Sequence, residues 1–375
     1  MDMTTPTRTA VLEKLALLTR RLPDDLYMDD AAFMENMKSC NLGCDDIERY
    51  KCWEWPQGIG LFCLWKLFIS GETPEALMLL KSYFDRQLQI GLPTLNVNTL
   101  SPMLALSFLA EYTREERYLA PCRLSAAWML EHFPRTQQGG FQHTTSDAVN
   151  REELWTDTVF MSVLFLANMG RILNDERYKQ EAEYQFLLHV KYLQNSETGL
   201  FYHGWTFDGN HNFTRALWAR GNCWLTIAIP EYLAVSSCDA AVRRFLVSTL
   251  NRQVDALLAC QDETGMWHTL LNDPTSYLEA SATAGFGYGI LLAAEAGLIP
   301  ADRKRLAKRA LAPILDNIDL SGIVNRVSYG TSMGRTSLEF YKTIEFSPML
   351  YGQALATLFL HAFLQQEEAW NRTTD

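Results

Sequence analysis

The strongest constraint on the fold of this chain is a short motif that recurs about every sixty residues. A triplet that begins with glycine and ends in an aromatic or β-branched residue occurs four times, at steps of 60, 66 and 57 residues: 139–141, 199–201, 265–267 and 322–324. Each triplet lies after one helical pattern and before the next. Two helices per period are typical of a helical-hairpin repeat, and 375 residues hold six such units.

The helical patterns follow the same rhythm. Apolar residues spaced at i, i+3 and i+4 predict about twelve helices and no series of alternating strands. The predicted helices span 7–22, 57–71, 74–90, 99–113, 116–133, 152–171, 175–195, 215–235, 238–260, 277–297, 302–318 and 347–367. Connections after the even-numbered helices are short up to the tenth, whereas those after the odd-numbered helices are mostly long and rich in glycine, aromatic and polar residues.

Three even-numbered helices, 152–171, 277–297 and 347–367, are apolar on every side and therefore need burial all round. An inner ring of six helices inside an outer ring of six provides it. We therefore predict an all-α fold, an (α/α)6 barrel in which residues 1–375 form a single catalytic domain. Residues 1–22 hold the first outer helix, and 23–56 form a long loop at the end where a cleft is expected.

Composition excludes several classes of partner. The net charge is −11, which argues against nucleic acid or an anionic membrane surface. The N-terminus lacks the basic start and apolar core of a secretory signal, and no apolar run reaches about 18 residues. We therefore expect a cytoplasmic protein that contacts no membrane, and its oligomeric state stays open.

No cofactor or metal is predicted. The eight cysteines form no paired CxxC motifs and are expected to be reduced. Cys40, Cys44 and Cys52 were weighed as a metal site, but no nearby histidine completes it. The chain also lacks a Walker loop, a dinucleotide fingerprint, an HExxH helix and a GxSxG elbow. Carboxylates, histidines, an arginine and tryptophans remain, which suits carbohydrate chemistry.

Asp157 is the candidate catalytic residue. It stands at the start of the predicted helix 152–171, so its carboxyl is expected at the mouth of a buried helix. Burial raises the pKa of a carboxyl toward the working range of a general acid. The alternative is an ordinary acidic residue in a first helical turn, where the helix dipole favours it. Glu279 occupies a comparable position before a second inner helix.

The long connections supply candidate binding residues. Trp55 can stack on a sugar ring or pack against a neighbouring loop, and Asn98 can donate to a ligand or simply belong to a helix cap. Arg220 can hold a carboxylate with both terminal nitrogens or form a structural ion pair with a glutamate. The stretch 328–341 resembles a flexible flap. The remaining candidates are His143, Trp155, His203, Trp218, Trp224 and Tyr341.

Several motifs resemble glycoside hydrolase family 105, the unsaturated rhamnogalacturonyl hydrolases, and more distantly the unsaturated glucuronyl hydrolases of family 88. They occur in the family's order, and the resemblance extends from about Trp53 to Leu364. One departure is Cys223, where the family commonly has glycine. This side chain is small enough to leave the loop possible, and the alternative is that it narrows the pocket. The motifs are Trp155-x-Asp157, the segment Trp218-Ala-Arg-Gly-Asn-Cys-Trp224, the run 271–284, and Val327-Ser328-x-Gly330-Thr331.

This resemblance implies an (α/α)6 barrel and a hydration-initiated glycosidase without a cofactor. The implied substrate is a small oligosaccharide that a polysaccharide lyase leaves with an unsaturated galacturonyl residue at its non-reducing end, such as unsaturated galacturonyl-rhamnose from pectin. Asp157 would give a proton to C4 and help water add at C5. The implied substrate contacts are His203, Arg220, Trp218, Trp224, Trp155, His143, Asn98, Trp55 and Tyr341.

Three alternatives remain open. An unsaturated glucuronyl hydrolase would use the same chemistry on other uronides. A sugar epimerase on the same barrel needs two facing bases, for which His203 and His268 are the available pair. A barrel that only binds oligosaccharide or another protein would leave Asp157 fully solvated.

Overall fold

The structure is a computed structural model that describes residues 6–28, 30–40, 47–71 and 73–373, without the side chains of 36, 38–40 and 367–373. Cys44 and the side chain of Cys40 lie outside these residues, so the structure does not describe two of the three cysteines considered as a metal site. The helices are α1 Arg8–Asp25, α2 Ala31–Cys40, α3 Ile47–Tyr50, α4 Trp55–Ile69, α5 Glu75–Ile90, α6 Val97–Thr113, α7 Glu116–Glu131, α8 Leu164–Leu173, α9 Glu176–Leu193, α10 Ala219–Val235, α11 Ala240–Cys260, α12 Ala280–Glu295, α13 Lys304–Asp316, α14 Glu339–Lys342 and α15 Leu350–Thr373.

The predicted (α/α)6 barrel is confirmed. Six inner helices each pack against the next, and the ring closes where the last packs against the first: α4, α6, α8, α10, α12 and α15. Helices α5, α7, α9, α11 and α13 each pack outside the inner helix that precedes them, and α1 packs on α15. Among the described residues, no helix is long and apolar enough to cross a membrane.

The two rings differ in their sequence patterns. Inner helix α10 is buried along nearly its whole length. Outer helix α13 instead buries Leu306, Ala310 and Ile314, at spacings of four residues, while its other face meets solvent. A helix that is apolar all round needs neighbours on every side, and a single apolar stripe needs only one layer beneath it. This difference assigns each helix to its ring.

The strand content corrects the sequence prediction. Strand β1, Glu153–Trp155, pairs with β2, Gly204–Thr206, and strand β3, Trp267–His268, pairs with β4, Leu278–Glu279. Strands β1 and β4 replace the first turns of the predicted helices 152–171 and 277–297. Short apolar runs do not separate strand from helix by periodicity, and here each run pairs with a neighbouring long connection.

The inner helix of the third hairpin begins later than predicted. Helical geometry starts at Asp157, passes through a π-helical turn at Val159–Val163 and continues as α8. Such turns are frequent at functional sites. The turn is entirely buried, so Asp157 stands directly on the apolar interior of the barrel.

The segment 23–56 is also more ordered than the predicted long loop. Helix α1 continues to Asp25, and α2 and α3 follow within the segment. The Asp30 carboxylate caps the start of α2 by accepting from the Phe33 amide at 2.9 Å, and it also accepts from the Tyr329 hydroxyl at 2.7 Å. These local polar contacts, rather than a long apolar period, define the short helices.

Close packing of α10 against α12 gives a first testable prediction. A Cβ atom on Gly289 would lie 2.7 Å from the Thr226 carbonyl oxygen, which is backbone and cannot turn away. We expect Gly289→Ala to lower the free energy of unfolding by about 1–3 kcal/mol, as overpacking does in other cores. Urea unfolding measures this loss.

Gly330→Ala is the matched control, because a Cβ there meets no heavy atom within 4 Å. Equal unfolding midpoints for Gly289→Ala and Gly330→Ala would contradict the prediction.

Candidate active site

The long connections enclose a cavity of about 740 Å³ at one end of the barrel. This volume is typical of a small-molecule site. Ten site residues were predicted, and seven of them line the cavity: Trp55, Asn98, His143, Trp155, Asp157, Trp218 and Arg220. The other three, His203, Trp224 and Tyr341, lie behind its wall. The structure therefore gathers all ten at one end of the barrel.

Asp157 reaches the cavity from a mostly apolar setting. Its side chain is 18% exposed. The Trp224 indole N–H donates to Oδ1 at 3.1 Å, and the Thr156 hydroxyl donates to Oδ2 at 3.1 Å. Burial raises the pKa of Asp157 to about 6, against the opposing effects of Thr156, Arg220 and Trp224. A carboxyl with this pKa exchanges its proton near neutral pH, as a general acid must.

His203 stands directly behind Asp157. Its Nδ1 lies 2.8 Å from the Tyr341 hydroxyl, which accepts from the Gly334 amide at 3.1 Å. The Tyr341 hydroxyl also lies 3.7 Å from Met333 Sδ, a second acceptor for its proton. When the hydroxyl donates to Nδ1, Nε2 carries the imidazole hydrogen. Nε2 is buried without a hydrogen-bond partner, 3.7 Å from Asp157 Oδ2. Burial lowers the pKa of His203 well below its ordinary value, so the ring is neutral.

His143 forms the neighbouring part of the wall. Its Nδ1 lies 2.8 Å from the Thr158 hydroxyl, and its ring stacks on Trp155 with centroids 4.2 Å apart. The Trp155 indole N–H donates to Glu153 at 2.8 Å. Burial lowers the pKa of His143 to about 3, so this ring is also neutral. Both histidines near Asp157 are thus polar but uncharged.

Arg220 holds the loop over the cavity. Nη1 donates to the Ser328 hydroxyl at 2.6 Å, and Nη2 donates to the Thr331 hydroxyl at 2.9 Å. The guanidinium also lies between the rings of Trp218 and Tyr351, 4.8 Å from each centroid. Glu279 Oε1 is 3.6 Å away. Of the two readings of Arg220, the structure places it in the ion pair with a glutamate.

The flap-like stretch is pinned on both sides. Besides Arg220, Arg335 donates to Glu153 at 2.5 and 3.1 Å, and the Thr214 hydroxyl donates to the Gly334 carbonyl at 2.8 Å. An antiparallel bridge joins Ser328 to Phe346. These contacts hold the stretch in this conformation, and their partners come from distant loops that the sequence does not place nearby; flexibility of the stretch stays a prediction.

Trp55 and Asn98 have partners of their own. The Trp55 ring stacks on Tyr351 with centroids 4.4 Å apart, while one part of it lines the cavity. Asn96, rather than Asn98, caps α6, because its Oδ1 accepts from the Asn98 and Thr99 amides. The Asn98 side chain is free of capping and lines the cavity.

Glu54 and Arg335 are among the cavity residues that the sequence reasoning did not single out. Glu54 precedes Pro56 at the start of α4, a signal for a helix N-terminus that does not reveal which way the carboxyl points. Arg335 is an isolated charge in a glycine- and serine-rich stretch. No motif distinguishes either residue from an ordinary surface charge.

Two other sequence expectations have different outcomes. His268 lies outside the cavity lining, with Nε2 3.5 Å from Asp262, so the proposed epimerase pair of His203 and His268 does not flank the cavity. Cys223 is fully buried and faces Gly285 of α12. It does not line the cavity, which agrees with the alternative that this small side chain leaves the loop possible.

The pKa of Asp157 predicts a gain in stability on its neutralisation. The folded protein holds this proton more tightly than an unfolded chain, whose pKa is near the ordinary 3.8. The contribution of Asp157 to the free energy of unfolding is therefore fully present below pH 3.8, and it is lost as the pH rises through about 6. We expect Asp157→Asn to raise the free energy of unfolding at pH 7 by up to about 3 kcal/mol.

Urea unfolding at about pH 7 and about pH 4 measures this effect, and the gain should vanish at the lower pH. Asp175→Asn is the control, since hydrogen bonds from Arg177 lower the pKa of this partly exposed carboxyl, so the gain should be absent. A gain for Asp157→Asn that is equal at both pH values would refute the electrostatic cause.

The contacts of Arg220 predict a local loosening on substitution. Lysine cannot donate from two separate nitrogens, so Arg220→Lys should release the segment 328–331. We expect hydrogen exchange of its backbone amides to rise at least about tenfold, the equivalent of about 1.4 kcal/mol of lost protection. Arg309→Lys, in the outer ring, should leave these amides unchanged. Unaltered exchange in Arg220→Lys would show that other contacts hold the segment.

Comparisons with known proteins agree with this architecture. Residues 29–366 match the family model described as Glycosyl Hydrolase Family 88. The unsaturated rhamnogalacturonyl hydrolase YesR of Bacillus subtilis is 33% identical over 319 residues, which cover 84% of this chain and 91% of YesR. This similarity confirms the resemblance to the unsaturated rhamnogalacturonyl hydrolases.

Solved structures give the same result. A possible member of the GH105 family from Salmonella enterica serovar Paratyphi A superposes with a TM-score of 0.88 at 38% identity, covering 98% of this chain and 97% of that one. The unsaturated glucuronyl hydrolase of Bacillus sp. GL1 shares the fold, with a TM-score of 0.61 at 19% identity over 84% of this chain and 87% of that one. The chain therefore belongs to Glycosyl Hydrolase Family 88.

Proposed function

We propose that this protein is a glycosidase that removes a 4-deoxy-4,5-unsaturated galacturonyl residue from the non-reducing end of short oligosaccharides, such as unsaturated galacturonyl-rhamnose. The observation that carries the proposal is Asp157, a largely buried carboxyl with a pKa of about 6 on the wall of the cavity. The 33% identity to a rhamnogalacturonyl hydrolase supports the choice of sugar.

The proposed reaction begins with hydration of the C4–C5 double bond. The Asp157 carboxyl gives its proton to C4, and a water oxygen bonds to C5 while its proton returns to the carboxylate. The product is a hemiketal at C5, whose ring opens to a ketone and exposes a hemiacetal at C1. That hemiacetal releases the second sugar as an alcohol, so one water is consumed and Asp157 is regenerated.

The neighbours of Asp157 suit the carboxylate that forms when it gives up its proton. Trp224 and Thr156 donate to its oxygens, and His203 Nε2 lies 3.7 Å from Oδ2. These donors are fixed before reaction, so the carboxylate formed on proton transfer needs little reorganisation. His203, Trp224 and Tyr341 are positioning residues in this proposal, whereas the sugar contacts the lining residues Trp55, Asn98, His143, Trp155, Trp218 and Arg220.

An ultraviolet assay tests the proposal. The double bond conjugated to the carboxylate absorbs in the ultraviolet, and hydration removes this absorbance. With unsaturated galacturonyl-rhamnose we expect the absorbance to fall with the native protein. Asp157→Asn should slow the fall by at least about 10³-fold, because the amide has no proton to give. Asp175→Asn, on the outer ring, should match the native rate.

The outcomes are distinct. A native protein that leaves both galacturonyl and glucuronyl unsaturated disaccharides unchanged refutes the hydrolase. Turnover of the glucuronyl substrate alone moves the assignment to the other uronide. Full activity of Asp157→Asn would remove Asp157 from the mechanism.

A further inference from the structure

Glu54 is a second unusual carboxyl on the cavity wall. It caps the start of α4 and is only 5% exposed. Its Oε1 accepts from the Ser146 hydroxyl, which in turn accepts from the Asn96 side-chain amide at 3.0 Å. Its Oε2 is buried and has no hydrogen-bond partner. The carboxyl is therefore held firmly at one oxygen and unsatisfied at the other.

The protonation of Glu54 follows from this arrangement. Burial raises its pKa to about 8, outweighing the opposing hydrogen bonds of Ser146 and Asn98, and the nearby charge of Asp147 raises it further. At neutral pH the group is mostly a carboxylic acid. Because Oε1 receives the Ser146 proton, the acid proton belongs on Oε2. A buried hydroxyl donor without an acceptor is costly unless a ligand supplies one.

The cations of the cavity are already engaged. Arg220 and Arg335 are the arginines among the described lining residues, and the lining includes no lysine. The terminal nitrogens of Arg220 donate to the 328–331 segment, and Arg335 donates to Glu153. Because these terminal nitrogens are occupied in this conformation, a neutral donor on the wall would add to the binding of a uronate carboxylate. Glu54 Oε2 is one such atom, since it has no geometric hydrogen-bond partner among the described residues.

We propose that Glu54 is a substrate-binding residue that acts as a neutral acid, donating a hydrogen bond from Oε2 to the carboxylate of the uronyl residue. This inference rests on the proposed function, since it takes the ligand to be an unsaturated uronide. An ionised Glu54 would lose the donor and repel the ligand. Binding therefore fails as Glu54 ionises, without any change in the proton donor Asp157.

Other titratable groups share this wall, so the test must separate them from Glu54. Asp147 is the one whose charge acts on the Glu54 carboxyl. Burial keeps the pKa of His143 near 3 and raises that of Tyr329, so neither changes charge between about pH 6.5 and about 9. The titratable side chains that line the cavity besides these and Glu54 are Asp30, Tyr50, Cys52, Asp157, Arg220 and Arg335.

The test measures binding of unsaturated galacturonyl-rhamnose to Asp157→Asn by calorimetry, so that no turnover occurs. Between about pH 6.5 and about 9.5 the dissociation constant should rise, approaching tenfold per pH unit above about 8. Adding Glu54→Gln keeps a neutral donor at every pH, so the dissociation constant should vary less than about twofold. Adding Glu54→Met removes the donor and should weaken binding at least about tenfold near pH 7.

Thermal unfolding at each pH confirms that each variant is folded before binding is measured. The same alkaline loss of affinity with glutamine as with glutamate would overturn the role of Glu54, as would unchanged affinity near pH 7 with methionine. A native protein inert in the ultraviolet assay instead overturns the hydrolase and this inference with it. Normal turnover together with a pH-independent dissociation constant overturns the inference alone.

Discussion

The site depends on the desolvation of the Asp157 carboxyl, and the packing of the barrel around this residue causes that desolvation. The carboxyl stands where β1 ends and a fully buried π-helical turn begins, so one side faces the core and the other faces the cavity. The adjacent inner helix α10 supplies Trp224, whose indole N–H fixes one oxygen. Closure of the inner ring brings this donor to the acid, because the two residues are 67 positions apart in the chain.

The buried pair of Arg220 and Glu279 fixes the segment 328–331 over the cavity. Two charges out of water are costly unless every lone pair and proton is used. Glu279 accepts from the Ser328 amide and the Ser281 hydroxyl, while Arg220 donates to Ser328 and Thr331. Apart from Arg220 Nε, which has no hydrogen-bond partner among the described residues, both charged groups are paired largely with the loop that they fix. The pair couples inner helices α10 and α12 to the 328–331 segment, which is why a loop without regular structure stays in one place.

The sequence predicted the ring and the end of the barrel that holds the site, because both follow from periodic features. It did not predict strands β1 to β4, whose few residues pair with partners 10 to 53 positions away in the chain. Motifs and loop positions indicated ten site residues. Which of them line the cavity and which lie behind its wall depended on the direction of each side chain, which the sequence does not show. Glu54 carried no motif, and its role depends on Ser146, 92 residues later. Contacts at such separations have no local signal.

Burial moves four titratable groups around the cavity toward their neutral forms, with opposite consequences for stability. The pKa values of Asp157 and Glu54 are raised to about 6 and about 8, so the folded state loses favour as the pH rises through these ranges. The pKa values of His143 and His203 are lowered, so the folded state loses favour as the pH falls below about 6.5. At neutral pH the burial of Asp157 and Glu54 therefore lowers the free energy of unfolding, whereas the burial of the two histidines does not. Burial of the apolar inner ring must offset that loss, and part of this buried surface, the turn Val159–Val163, lies next to Asp157.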